Sequence, residues 1–412
     1  MKRRGLLVLV VALALAGVGV IAAGRAEKQH IGTDFHVFWQ AGYDFAHGLP
    51  LYQPLQGARS FIYPPFAAQV FQLLSLFPLK GAAWLFYLAS VCLIGAAVWL
   101  TRDIVARLHG PQRRTAPTVL ALLFSAVFLI DNLDHVQANV LVFFLCLLGI
   151  RAFLARRDAA AGGWIMAATA IKLTPVFFAL WLLIRGTRRT LAAVAGFGLL
   201  TLVLPMVQRG LRQGLIDLSA YYQAFLHQFA AGAVVTNYRN QNLAAMVYRA
   251  LVPGSSGDTP AYDYAYLAPL QTWAPVLYRL LALGILAVFL FHLIRLRAGS
   301  KPIGALEIAS VFLASHLLSG ITWKAHLVTL LFVFYAFFSL DREQMGPRAR
   351  RFLGLAWLGI VIMGLGRDVI GDRLHHYWAG YSVFVWVMLL LFTLSIAWSH
   401  RQSSGPEPVT HS

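Results

Sequence analysis

Apolar runs of about 15 to 23 residues recur along nearly the whole chain, the length a helix needs to cross the hydrocarbon core of a bilayer. Two kinds of polar stretch separate them. One kind is basic: Lys2-Arg3-Arg4, Arg113-Arg114, Arg156-Arg157, Arg185 to Arg189, Arg295 to Lys301 and Arg348 to Arg351. The other is mixed: Thr33 to Gly42, Asp131 to Asn139, Lys172 to Pro175, Asn237 to Asn242, Ser319 to His326, and Arg367 to His376. Basic loops stay on the cytoplasmic side of a membrane. Counting spans from Lys2-Arg3-Arg4 therefore puts all six mixed stretches on the opposite face.

The pattern predicts spans over Leu6–Ala23, Gly81–Thr101, Pro117–Ile130, Val140–Phe153, Thr190–Val207, Thr272–Ile294, Ile303–Leu318, Leu327–Leu340, Phe352–Gly366 and Tyr381–Trp398. The start of the chain has the shape of a signal peptide, but its apolar stretch is longer than a signal core and reads as an uncleaved first span. Pro65–Pro78 is too short to cross and alternates glutamines with apolar residues at helical spacing, as a helix lying in the interface does. Arg156-Arg157 and Arg185 to Arg189 both belong inside, although one apolar stretch separates them. A break at Lys172-Leu173-Thr174-Pro175 resolves this by making that stretch a hairpin of two half-length helices with the lysine at its tip. The expectation is an all-α polytopic membrane protein with a single transmembrane domain over residues 1–398, a long outer loop from Gln208 to Gln271, and a flexible cytoplasmic tail over 399–412.

Composition agrees. Of 412 residues, 59% are hydrophobic and 12% charged, which excludes a soluble globule. The net charge of +18 would suggest a nucleic-acid partner in a soluble protein, but here the basic residues cap spans, so no such partner is expected. Cys92 and Cys146 lie inside apolar runs as small hydrophobes, without disulfide or zinc spacing. Asp-x-Asp, Gly-rich phosphate loops and Gly-x-Ser-x-Gly are all missing, which argues against a nucleotide-binding catalytic domain. His375-His376 are adjacent and would point apart, so no metal ligands are assigned; no cofactor is implied, and a divalent metal stays open.

Several residues can carry chemistry. Asp34, a carboxylate just past the first span, either caps the helical run Phe35 to Ala46 or serves as a general base, with Asp131 and Asp134 as fallbacks on the same face. Lys172 either snorkels to an interface or meets an anion such as phosphate, aided by the half-helix starting near Pro175. Arg239, Lys324 and His326 are further donors for the same anion. Phe38, Trp39, Tyr63 and Trp323 form an interfacial belt or offer ring faces to a ligand. Arg279 and Glu307 fall at different depths and need not pair. A transporter or flippase would also use a broken helix and an intramembrane lysine, but polar residues here crowd one face instead of the midplane.

The stretches Asp34 to Ala41, Gly48-Leu49-Pro50-Leu51-Tyr52, Tyr63-Pro64-Pro65-Phe66, Val136-Gln137-Ala138-Asn139, Ile171 to Pro175, Asn240-Gln241-Asn242 and Ser319 to His326 occur in the order seen in glycosyltransferase family 87. The chain resembles that family, a branch of the GT-C superfamily of polyprenyl-phosphate-sugar-dependent enzymes. The resemblance implies a GT-C-type bundle of about 11–13 transmembrane helices with interfacial helices in the first outer loop. It implies an active site at the outer boundary of the inner (plasma) membrane, on the periplasmic side. It also implies Asp34 as catalytic base, a polyprenyl-phosphate-linked hexose, mannose foremost, as donor, and a lipid or glycan acceptor. Lys172, Arg239, Asn240, Gln241, Lys324 and His326 would hold the donor phosphate and sugar, with Tyr63, Gln137, Asn139 and Trp323 close by. Three positions depart from the family pattern: Gly320 replaces a proline, Ala325 the first histidine of a pair, and Val136 a glycine.

Overall fold

The computed structural model describes residues 34–52, 61–110, 114–254, 264–341 and 345–402, together with Gly17, Gly19 and Val20. The expected first span lies almost wholly outside these residues, as does the tail from 403 onward. The described residues are helical, without a strand. In chain order the principal helices are α1 (Asp34–Ala46), α2 (Pro65–Phe71), α3 (Leu79–His109), α4 (Ala116–Asp134), α5 (Asn139–Leu154), α6 (Asp158–Ile171), α7 (Val176–Arg185) and α8 (Arg188–Arg209). They continue with α9 (Leu211–Tyr221), α10 (Leu243–Leu251), α11 (Ala274–Ala298), α12 (Ala305–Leu317), α13 (Leu330–Phe338), α14 (Pro347–Gly364), α15 (Asp372–Gly380) and α16 (Val383–Gln402).

Among the described residues four helices are long and apolar enough to cross a membrane: α3, α4, α8 and the run Ala268–Ala298 that ends in α11. A fifth crossing arises if α15 and α16, bent by 55° at their junction, form one broken span. Of the apolar segments that the hydropathy pattern counts as spans, α5, α12 and Lys324–Phe338 are shorter helices, as is α7, one half of the expected hairpin. These short helices occupy the middle. Every residue of α12 is buried, and so is α13 from Leu330 to Phe337, which is apolar on nearly every side. The full-length α8 and α11 are peripheral and leave Leu199, Leu202, Val207, Leu280, Leu283 and Phe291 exposed. An apolar exposed face on a helix long enough to span marks lipid contact, and the chain is an integral membrane protein.

The ends of the helices sort by charge. At one end Asp103 of α3 accepts from Arg107 at 2.7 Å and from Arg151 of α5 at 2.9 Å. Arg297 of α11 donates to the carbonyls of Ile184, in the last turn of α7, and of Gly186 just past it, the latter at 2.9 Å. At the opposite end the mixed polar stretches meet. Asn240 donates to the Gly320 carbonyl at 3.4 Å, Gln241 to the Ala379 carbonyl at 2.8 Å, and Tyr238 packs on His376 with ring centres 4.1 Å apart. The loop expected from Gln208 to Gln271 contains α9, a π-helical turn over Tyr222–Leu226, and α10. Asp131 and Asp134 belong to the last turn of α4 instead of a loop, and α16 continues to Gln402, past the residue 399 expected to begin the tail.

The break after Ile171 does produce a hairpin. Asp158, at the start of α6, accepts from Thr190 at 2.6 Å and Thr187 at 3.2 Å, just past the end of α7, so the two helices begin and end at the same level. Thr187 caps α8 in turn, through a capping box with Thr190. Near the same end, Glu307 accepts from Arg185 Nε at 2.9 Å and from Trp181 Nε1 at 2.7 Å, with the Arg185 and Glu307 side chains 6% and 1% exposed. Arg185 Nη2 also donates to the Lys301 carbonyl at 2.6 Å. Glu307 is thereby accounted for, whereas Arg279 is exposed on α11 and plays no part in this pair. Removing one member of a buried, hydrogen-bonded ion pair strands the other charge. Glu307→Ala is expected to destabilise the protein by about 3–5 kcal/mol and Glu307→Gln, which keeps an acceptor for Trp181, by less; thermal unfolding in detergent measures both.

Candidate active site

Helix α1 is seated by its own apolar face. Phe38 stacks on Phe71 of α2 at 4.7 Å and on Tyr63 at 5.0 Å, and a Cβ on Gly42 would lie 2.5 Å from the Phe71 backbone, so only glycine lets α1 approach α2 this closely. That packing fixes the first turn of α1. Asp34, 7% exposed, is thereby aimed into a cavity of about 290 Å3. Its other polar walls come from Gln137, Lys172, Ser315, Ser319 and His326, with Tyr63 and Trp323 at its edge. Apart from Thr174 and Tyr221 the rest of the lining is apolar, including Val37, Ile62, Leu173, Val176, Phe177, Phe225, Leu226, Phe229, Leu318 and Ile321. Leu173 and Val176, at the hairpin tip, line the cavity and are also 36% and 42% exposed, so the cavity opens sideways between apolar side chains.

A continuous chain of hydrogen bonds joins the two charged residues. Gln137 Nε2 donates to Asp34 Oδ2. Asn139 Nδ2 donates to Gln137 Oε1 at a long 3.5 Å and to Asn132 Oδ1 at 3.3 Å, and Asn132 Nδ2 donates to the Gln137 carbonyl at 3.2 Å. Lys172 Nζ donates to Asn139 Oδ1 at 2.5 Å and lies 5.8 Å from the centre of the Tyr63 ring. Gln137, Asn139 and Asn132 are buried, so each amide must find partners inside the protein, and it does. Asn139 starts α5 while Asn132 ends α4; the turn between them brings both amides to the cavity.

Of the residues singled out in the sequence, Asp34, Gln137, Lys172, Tyr63, Trp323 and His326 line this one cavity, with Asn139 directly behind. Four others do not line it. Arg239 is exposed and lies over its neighbour Tyr238, 5.6 Å from the ring centre. Lys324 lies outside the cavity lining, near enough to Asp131 and His375 for its charge to act on both. Asn240 and Gln241 are buried in the scaffold of the Ser319–Trp323 loop: Asn240 Oδ1 accepts from the Thr322 amide at 2.8 Å, and the Gln241 amide donates to the Thr322 carbonyl at 2.6 Å. Asn242 caps α10 through the Ala245 amide at 2.8 Å and donates to the Ser319 and Gly320 carbonyls at 2.6 and 2.8 Å. The Asn-Gln-Asn stretch thus shapes the cavity rim from behind. His326 is braced by the Ile321 carbonyl, 3.0 Å from its Nδ1.

The sequence reading did not single out the outer wall, Tyr221, Phe225 and Phe229, although their spacing of four is a helical stripe; the rings pack at 5.9 and 4.8 Å. This wall is held by Arg209 at the end of α8. Arg209 Nε lies 3.0 Å from Asp217 Oδ2, with both side chains buried, and its Nη2 donates to the Leu49 carbonyl at 2.7 Å. Burial pushes the Asp217 carboxyl above its ordinary range, opposed by the Gln213 hydrogen bond and the Arg209 charge. Asn132 was also missed, because it looks like one polar residue among several in its stretch. His316 is a further unforeseen histidine, 2.6 Å from Thr329 Oγ1 and next to the cavity-lining Ser315.

Residues 61–320 match glycosyltransferase family 87, well over half of the chain, and the protein belongs to that family and is a glycosyltransferase. A "polyprenol-phosphate-mannose-dependent alpha-(1-2)-phosphatidylinositol pentamannoside mannosyltransferase" of Mycobacterium tuberculosis (strain CDC 1551 / Oshkosh) is 29% identical over 400 residues, 93% of this chain and 81% of the relative. A protein of the same description from Mycolicibacterium smegmatis (strain ATCC 700084 / mc(2)155) is 26% identical, covering 84% of this chain and 78% of the relative. The apo crystal structure of ArnT from Cupriavidus metallidurans aligns over 98% of this chain and 78% of its own, at 17% identity and a TM-score of 0.39. Family membership sets aside the transporter alternative.

One departure from the family pattern has a visible cost. Val136, in the turn that presents Gln137, has φ +48°, a conformation that a β-branched side chain rarely adopts and glycine adopts freely. Val136→Gly is expected to be less destabilising than Val136→Ala by about 1 kcal/mol, the reverse of the usual order in which alanine is the milder change. Melting temperatures of the two purified variants decide it.

Proposed function

We propose that the protein moves one hexose, mannose by analogy with its relatives, from a polyprenyl phosphate to a hydroxyl of an outward-facing lipid or glycan acceptor, with inversion at the anomeric carbon. The observation that carries this reading is the cavity itself: Asp34 and Lys172 share it, and much of its remaining wall is apolar and open at Leu173 and Val176. A phosphate-linked sugar on a prenyl chain needs both halves. Lys172, with His326 beside it, meets the charge that grows on the departing phosphate, while the apolar side accommodates the lipid. Asp34 takes the acceptor proton as the acceptor oxygen attacks the anomeric carbon and the bond from that carbon to the phosphate oxygen breaks. The products are the glycosylated acceptor and polyprenyl phosphate, and the proton ends on Asp34.

A double displacement would need a carboxylate nucleophile in addition to an acid/base. Among the described residues Asp34 is the one carboxylate that lines the cavity, which favours a single inversion. Arg239, Asn240, Gln241 and Lys324 act in this reading by supporting the cavity rim or by contact with the acceptor outside it. The mixed polar end faces the periplasm or cell exterior, and the basic end with Arg157 faces the cytoplasm, as the positive-inside rule requires.

Asp34→Asn keeps the shape and is expected to lower turnover by about two to four orders of magnitude. The product's anomeric configuration, read by NMR, should be opposite to the donor's; wild-type turnover in Asp34→Asn or a retained configuration contradicts the mechanism. Orientation has its own test. With Cys92 and Cys146 replaced, a cysteine introduced at Lys324 should react with a membrane-impermeant reagent in intact cells, and one introduced at Arg157 only after permeabilisation. The opposite pattern contradicts the assigned face.

A further inference from the structure

The amides between Asp34 and Lys172 are more than buried polar groups that happen to be satisfied. A lysine ammonium only donates, so the Asn139 atom 2.5 Å from Lys172 Nζ must be its oxygen. The Asn139 NH2 then faces Gln137, whose oxygen must receive it, and the Gln137 NH2 in turn faces Asp34, whose carboxylate only accepts. Every donor in the chain points from the cation toward the anion. The orientation of each amide is therefore dictated from both ends, and Asn132 reinforces it by accepting the second Asn139 hydrogen at 3.3 Å.

We infer that Asn139 is a positioning residue that couples the phosphate-binding lysine to the general base, so that Lys172, Asn139, Gln137 and Asp34 act as one unit; this rests on the roles given to Asp34 and Lys172 above. The geometry leaves the unit intact while it works. Lys172 has three hydrogens and spends one on Asn139, keeping two for a phosphate oxygen. Asp34 accepts from Gln137 through Oδ2, so the amide aims the carboxylate from one side. The consequence is that a change at the lysine reaches the carboxylate. Losing the ammonium frees Asn139 to turn, Gln137 loses its fixed orientation, and Asp34 loses the donor that aims it.

The test uses the full-length purified protein, a synthetic polyprenyl-phosphate hexose and an acceptor, with kcat and donor KM measured separately. Asn139→Ala touches neither the sugar nor the acceptor, yet it is expected to lower kcat by about 10- to 100-fold. Asn139→Asp, which keeps the shape and the acceptor for Lys172 but cannot donate to Gln137, should show the same loss and carries the test if the alanine variant does not fold. Lys172→Ala and Gln137→Ala should combine to much less than the product of their separate effects on kcat, as members of a unit do. Multiplicative effects in the double variant, or wild-type kcat in Asn139→Asp with only a lower melting temperature, overturn the coupling. Asp34→Asn measured alongside separates the two levels. Normal turnover there removes the base on which the inference rests, whereas loss of turnover there with multiplicative Lys172 and Gln137 effects overturns the coupling alone.

Discussion

An ammonium at the tip of an apolar hairpin has to be met by an acceptor, and the bond from Lys172 to Asn139 meets it. Much of the outer half follows from that requirement. It draws the hairpin of α6 and α7 against the start of α5, whose first residue is Asn139. It sets the orientation of the amides that reach Asp34, and it holds Leu173 and Val176 where one side of each faces the cavity and the other is exposed. An apolar residue in place of Lys172 would leave the buried Asn139 oxygen without this donor.

The two ends of the helices solve different problems with the same side chains. At the basic end, charges are spent on one another and on helix-end carbonyls, as in Arg185 with Glu307 and the Lys301 carbonyl, or Arg297 with the carbonyls at the end of α7. The first ties the short helices α7 and α12 together, and the second ties α7 to the long peripheral α11. At the mixed end, Asn240, Gln241 and Asn242 spend their hydrogen bonds on backbone, holding the Ser319–Trp323 loop as a rigid rim. Lys172 and Asp34 instead line the cavity. Glycosyl transfer between a lipid-borne donor and an acceptor at the membrane surface needs that division: a stiff scaffold, an apolar opening and a small polar end with one acid and one cation.

Much of this was legible in the sequence, for definite reasons. Lys172 stands out because a lone lysine followed by a proline cannot continue a buried helix, and the hairpin follows from two basic clusters that demand the same side. Asp34 stands out by its place after an apolar run. What could not be read was direction. Arg239 and Lys324 have the right charge in the right stretch, yet the backbone carries Arg239 onto Tyr238 and leaves Lys324 near Asp131, outside the cavity lining. The Asn-Gln-Asn stretch looks like a ligand set because amides that bind sugars and amides that bind backbone are the same groups; only burial against the 319–323 loop distinguishes them. The wall of Tyr221, Phe225 and Phe229 and the pairing of Glu307 with Arg185 both depend on contacts between residues far apart in sequence, to which local periodicity is blind.

The central claim is that the cavity takes its sugar from a lipid phosphate. The direct measurement is release of polyprenyl phosphate from a synthetic polyprenyl-phosphate hexose by the purified protein, set beside the same assay with a nucleotide-linked hexose. Release from the lipid donor that requires Lys172, with no transfer from the nucleotide sugar, is the predicted result. Transfer from the nucleotide sugar, or lipid-donor turnover that is unchanged in Lys172→Ala, would contradict the account.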